Sequence, residues 1–159
     1  MKPYIKWSLI ALAVAGAAAS MRLAQTELNQ PATVLPSVVT VRPGVAAEVV
    51  AVTYFSSDVR CATCMRIERL TRATVERNFP AELKSGRIVL RTVNLDGPGN
   101  EHFVRDYSLI SKTVIVSDLA KGQEVAWENL QQVWTKQKDE AAFDAYVVDA
   151  VRRHLSTAT

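Results

Sequence analysis

The segment Val49–Leu95 constrains the fold most. Val49–Phe55 (VVAVTYF) is a continuous apolar and β-branched run of strand length, the pattern of a strand buried on both faces. After Ser56-Ser57-Asp58, the residues Ile67, Leu70, Thr74 and Phe79 recur at spacings of three to five, with Arg66, Arg69, Arg72 and Arg77 interspersed. That is a helical pattern, and "NFP" ends it, because the residue before Pro80 is pushed out of the helical region. Arg87–Leu95 (RIVLRTVNL) reads as a second strand, stopped by the DGPG turn. A strand, a helix of about 18 residues and another strand in one sheet imply a right-handed crossover between parallel strands.

The rest of the chain builds on this unit. Asn100–Tyr107 reads as a short helix presenting Phe103, Val104 and Tyr107, and Thr113–Ser117 as a third strand. DLAKG has the composition of a hairpin turn leading to a fourth strand, Gln123–Trp127. Asp139 can cap a last helix whose apolar stripe is Phe143, Val147, Val151 and Leu155, with Arg152, Arg153 and His154 near its negative end. Trp127 and Trp134 are expected in the core. The order β-α-β-α-β-β-α predicts an α/β fold: a mixed central sheet with helices on both faces.

The N-terminus has the composition of an export signal. MKPYIKW is basic, SLIALAVAGAAAS is apolar, and Ala17-Ala18-Ala19 supplies small residues for cleavage. The apolar stretch Trp7–Ala19 is shorter than the roughly 20 residues of a spanning helix, although retention as an anchor is the rival reading. Residues 1–22 are thus expected to be a signal peptide or N-terminal membrane anchor. Residues 23–44, broken by Pro31, Pro36 and Pro43, form a spacer in which TVLPSVVTV can add an edge strand; residues 45–156 are the folded domain. The domain is expected outside the cytoplasm, in the periplasm or on the outer face of the inner membrane, where disulfides persist. The net charge of +3 includes Lys2 and Lys6 of the leader, and no aromatic–basic interleaving marks a nucleic-acid site.

Cys61 and Cys64 (CATC) are the chain's two cysteines. A chance spacing of three would arise roughly one time in eighty, so the spacing carries meaning. Cys61 falls at or near the N-cap of the first long helix, where unpaired N–H groups and the helix dipole stabilise an anion, and Arg60 adds positive charge. Both effects favour a Cys61 thiolate, the nucleophilic form. Cys64, one turn further in, is expected to be more buried and suited to resolving a mixed disulfide. A structural staple is disfavoured because so short a loop barely restricts the unfolded chain. Zinc is disfavoured because His102 and His154 match no finger or ribbon spacing; both read as surface or helix-end residues. A two-thiolate site for a soft ion of the Cu(I) or As(III) kind stays open as the alternative, with Cys61 and Cys64 as ligands. Arg60, Arg66, Arg69 and Arg72 suggest a basic docking surface, but a solvated helix face with pairs such as Glu68–Arg72 is the preferred reading.

A strand, a CxxC at a helix start, a second strand ending VNLD, a short helix, a strand, a hairpin and a terminal helix together resemble the thioredoxin-like fold over about Val45 to Leu155. Stretches such as RCATCMRIERLT, ELKSGRIVLRTVNLDGPGNEHFVRDY and WENLQQVW resemble a narrower group, the small exported proteins labelled nitrophenyl compound nitroreductase subunit, ArsF family. The resemblance implies a thiol–disulfide oxidoreductase or dithiol electron relay, with Cys61 attacking and Cys64 resolving, that exchanges with a partner protein. No glycine-rich dinucleotide fingerprint is present, and no cofactor is expected. If nitro reduction is the group's work, this chain would supply electrons to a reductase partner.

Three positions depart from the thioredoxin pattern. Arg60 stands where thioredoxins have tryptophan. The buried aspartate of the first strand is missing, with Thr53 nearest and Asp58 in the loop. Lys112-Thr113 replaces the cis-Pro-Thr pair, so a trans bond is expected there. Lys112 is read either as a solvated strand-end residue or, functionally, as a second cation near Cys61 or a guard against metal binding. Arg60, Lys112 and Thr113 are the expected modulators of the pair.

Overall fold

The computed structural model describes residues 40–41 and 48–157; the expected leader and most of the spacer lie outside the described residues. The long apolar run becomes the strand Val49–Ser56, buried from Val50 onward. Its β-branched side chains pack on both faces, which is why no polar alternation marks it in the sequence. In chain order the elements are β1 (Thr40–Val41), β2 (Val49–Ser56), α1 (Ala62–Asn78), α2 (Pro80–Ser85), β3 (Ile88–Asn94), α3 (His102–Asp106), β4 (Thr113–Ala120), β5 (Gln123–Asn129), α4 (Val133–Lys136) and α5 (Glu140–Thr157).

The sheet order is β1-β5-β4-β2-β3. β3 runs parallel to β2, in register Val50 with Ile88 through Ser56 with Asn94, so α1 forms the crossover. β4 lies antiparallel on the other side of β2, setting Phe55 opposite Thr113, and β5 is antiparallel to β4. The first strand is therefore flanked by the second in parallel and the third in antiparallel sense, with the fourth outside. This is the thioredoxin-like arrangement, a mixed central sheet with the CxxC just before the first long helix. β1 adds a further edge strand, Thr40 opposite Trp127, inside the proline-containing spacer.

Alternation along β2 divides the core. Val50, Val52 and Tyr54 pack with Ile67, Leu70 and Val75 of α1 and Phe143, Val147 and Val151 of α5. Phe55 and Ile115 point to the opposite face, where they pack with Leu109 and the rings of Phe103, Tyr107 and Trp127. Ring centroids there lie 5.2 Å (Phe55–Phe103) and 5.1 Å (Tyr107–Trp127) apart, within the favourable range for tilted and edge-on pairs. Asp139 caps α5 by accepting the Ala142 N–H at 3.1 Å. Among the described residues no helix is long and apolar enough to cross a membrane.

Several details differ from the sequence reading. Pro80 ends α1 but also starts α2 at its first position, and Gly86, at φ 78°, closes α2 in the left-handed conformation. α4 was not anticipated. β4 continues through Asp118-Leu119-Ala120, so the hairpin turn shrinks to Lys121-Gly122, both left-handed at φ 52° and 74° as a two-residue turn requires. Asp118 belongs in the strand because its carboxylate has a buried partner. That partner is His154, which lies in the last turn of α5 as expected but is buried, 5% exposed, and is not a surface residue. Its Nδ1 lies 2.8 Å from Asp118 Oδ1 and its Nε2 3.6 Å from Glu128 Oε2. Arg153 donates to both Glu128 oxygens at 2.9 and 3.1 Å, and Thr157 to Asp118 at 3.2 Å.

Candidate active site

The carboxyl end of β2 delivers the chain to a loop held on one side by β3. Asp58 N–H donates to Asp96 at 2.8 Å, and Asn94 donates to the Asp58 carboxylate at 2.7 Å. The loop ends at Cys61, which is the N-cap of α1 in an extended conformation, φ −87° and ψ 157°. The Cys64 N–H donates to Cys61 Sγ at 3.0 Å, and α1 has no acid in its first turn. A thiolate on Cys61 would thus receive a direct N–H and the positive end of the helix dipole. The two sulfurs are bonded to each other, S–S 2.04 Å. Cys61 is exposed while Cys64 is 4% exposed, so a partner can reach the first sulfur and not the second.

The expected modulators are placed differently from the sequence reading. Arg60 pairs with Glu68, one turn beyond Cys64 on α1, so its charge is shared with a carboxylate. Glu68 is therefore not the partner of Arg72, which pairs with Glu76 at 3.7 Å. Arg66 is also committed, donating to the Gln137 carbonyl at 2.7 Å and to Glu140 at 3.1 Å, which ties α1 to the start of α5. Lys112 reaches the other cysteine: its Nζ lies 3.6 Å from Cys64 Sγ and donates to the Val59 carbonyl. The Lys112–Thr113 bond is trans, as no described peptide bond is cis. Thr113 is buried and donates to Asn129 Oδ1 at 2.8 Å, joining β4 to β5.

Two residues join the site that sequence reasoning did not assign to it. Tyr54, two residues before the end of β2, donates its hydroxyl to the Cys64 carbonyl at 2.9 Å. Burial, reinforced by Glu68 and opposed by Arg60, pushes its pKa up to about 12, so the phenol stays neutral. The signal was available: a tyrosine in an all-buried strand needs a partner for its hydroxyl. Trp134 of α4 packs against the main core as expected, and its indole N–H also donates to the Lys112 carbonyl at 2.6 Å. No local sequence signal connects residues 22 apart in this way.

Beside the pair lies an open groove of about 380 Å³, bounded by Ser57, Leu95, Asp96, Val104, Ile110 and Lys112. Its lining mixes apolar and charged side chains, with Glu101 beside Asp96 and Lys112. Ile110 on its edge is 90% exposed, and Val59, two residues before Cys61, is 73% exposed.

No protein-family model and no curated protein sequence matches the chain. Among solved structures it is similar to one described as a malarial protein, at 21% identity, 68% of this chain and 99% of that one, with a TM-score of 0.41. It is also similar to a thioredoxin from Thermus thermophilus in its solution structure, at 20% identity, 51% of this chain and 58% of that one, TM-score 0.33. The fold assignment rests on the strand order and the position of the CxxC, and the pair at disulfide distance fits a thiol redox role.

Proposed function

We propose that this chain is an extracytoplasmic thiol–disulfide exchange protein, working as an oxidoreductase or as a dithiol electron relay. The observation that carries the reading is the asymmetric pair: an exposed N-cap sulfur bonded to a buried one a turn inside the same helix. In the reduced form Cys61 attacks a partner disulfide. Cys64 then attacks Cys61, the ring recloses, and the partner leaves as a dithiol carrying the two electrons. The reverse sequence oxidises a partner dithiol. The exposed apolar side chains of Val59 and Ile110 support a protein partner docking near Cys61. Lys112 bears on the soft-metal alternative, because an ammonium beside Cys64 opposes a second cation on the same sulfur. The finer reading, electron supply to a nitro-reducing partner, rests on the sequence resemblance alone.

Trapping in the native compartment tests the proposal. Cys64→Ser should accumulate thiol-reducible adducts through Cys61, and Cys61→Ser with Cys64→Ser should accumulate none. Absence of adducts, together with a wild-type chain that exchanges with no disulfide but binds Cu(I) tightly, would favour the carrier. For the compartment, residues 1–30 fused to a reporter active only outside the cytoplasm should give an active reporter. A silent reporter with normal expression would return the protein to the cytoplasm.

A further inference from the structure

Cys64 presents an electrostatic problem that the helix start does not solve. Its sulfur is nearly out of solvent, and burial raises a thiol's pKa by penalising the charged form. The N–H at the N-cap is aimed at Cys61 Sγ. The side chain rising from the sheet beneath Cys64 is the neutral phenol of Tyr54, bound to a carbonyl oxygen. The cation at this sulfur is Lys112.

Resting on the thiol–disulfide reading above, we propose that Lys112 is the counter-ion of the Cys64 thiolate and sets the rate at which the mixed disulfide resolves. Both ends of the residue are fixed. The Trp134 indole holds its carbonyl, and the Val59 carbonyl holds its ammonium 3.6 Å from Cys64 Sγ. A strand-end lysine with its side chain in solvent would make neither of the ammonium contacts. When a partner is bound through Cys61, the Cys64 thiolate attacks Cys61 Sγ. The Cys61–Cys64 bond forms, the Cys61–partner S–S bond breaks, and its electron pair leaves on the partner sulfur, which takes a proton from water. In the oxidising direction the partner thiolate attacks Cys61, and Cys64 departs as a thiolate beside the ammonium. Lys112 transfers no proton in either direction and acts by charge alone. The better leaving group then speeds the oxidising direction, and the larger thiolate fraction speeds the reducing one.

The test uses the full chain carrying Cys61→Ser, alone and combined with Lys112→Met, Lys112→Gln or Lys112→Arg. Lys112→Gln retains a donor for the Val59 carbonyl without the charge, and thermal melts confirm folding of each variant. The pH dependence of Cys64 alkylation by iodoacetamide should shift upward by about one unit in the Met and Gln variants and return in Arg. With both cysteines present, a thionitrobenzoate mixed disulfide on Cys61 should release its thiol about three- to fourfold more slowly at pH 7 in Lys112→Gln, the roughly tenfold loss of thiolate being partly offset by the greater nucleophilicity of a more basic thiolate. An unchanged Cys64 midpoint in both neutral variants overturns the proposal. The functional reading fails separately: a shifted midpoint in a protein that exchanges with no disulfide would keep the ion pair and remove its role.

Discussion

Replacing His154 with leucine should cost about 3–5 kcal/mol of stability, read as a drop in the urea midpoint with an unchanged slope. The imidazole is wedged between Asp118 of β4 and Glu128 of β5, all three nearly out of solvent. Burial alone would discharge it. The hydrogen bonds and charges of the two carboxylates win, and its pKa rises from 6.5 to about 9. Among the described residues, removing the ring leaves Glu128 with Arg153 and Asp118 with the Thr157 hydroxyl. An uncompensated buried carboxylate accounts for most of the loss, so adding Asp118→Leu to His154→Leu should recover a large part of it.

The same cluster fixes a pH dependence. Because His154 binds its proton more tightly folded than unfolded, its contribution is fully present below about pH 6.5 and is lost as pH rises toward 9. That contribution is on the order of 3 kcal/mol. Glu128 has the opposite sign: burial opposes its charge, but His154 and Arg153 hold its pKa below the ordinary value. Its contribution is present above the unfolded pKa and is lost as pH falls through the lowered one. The wild-type melting temperature should therefore decline between pH 6.5 and 9, and His154→Leu should flatten that limb. A variant that loses under about 1 kcal/mol and keeps the alkaline decline would show the cluster to be incidental.

The strands and long helices were legible because their signals are local. The unbroken apolar run of β2, the three-to-five spacing in α1, and Asp139 ahead of the α5 stripe each follow from the periodicity of one element. The CxxC at a helix start was legible for the same reason. What the sequence hides is pairing across elements. DLAKG has turn composition, yet Asp118 stays in the strand because α5 brings His154 to it, 36 residues away. Glu68 stands four residues before Arg72, but the loop turns Arg60 onto it first. Lys112 was expected near Cys61 from its place in the fold, and it reaches Cys64 because Trp134 and Val59 fix where its backbone and ammonium go.

Tyr54→Ala should cost about 3–5 kcal/mol, while Tyr54→Phe should cost about 1 kcal/mol and leave the pH profile of disulfide exchange unchanged. The first figure follows from deleting a buried aromatic ring in the core between β2, α1 and α5. The second follows from losing a single hydrogen bond to a carbonyl that retains its place in the helix. The profile is the sharper part. Thioredoxins have a carboxylate on this strand that can move a proton; the phenol here is pushed up to about 12 and cannot accept one from Cys64 near neutral pH. Its electrostatic contribution is present below pH 10 and fades only between 10 and 12, beyond the working range of exchange. The Cys64 proton then has to go to water or to the departing partner thiolate, with the Lys112 ammonium balancing the charge left on the sulfur. Exchange rates for wild type and Tyr54→Phe from pH 5 to 9 decide the matter. Superimposable profiles assign Tyr54 to positioning the first turn of α1; a tenfold fall at neutral pH, or a shifted midpoint, would make its hydroxyl part of the proton path.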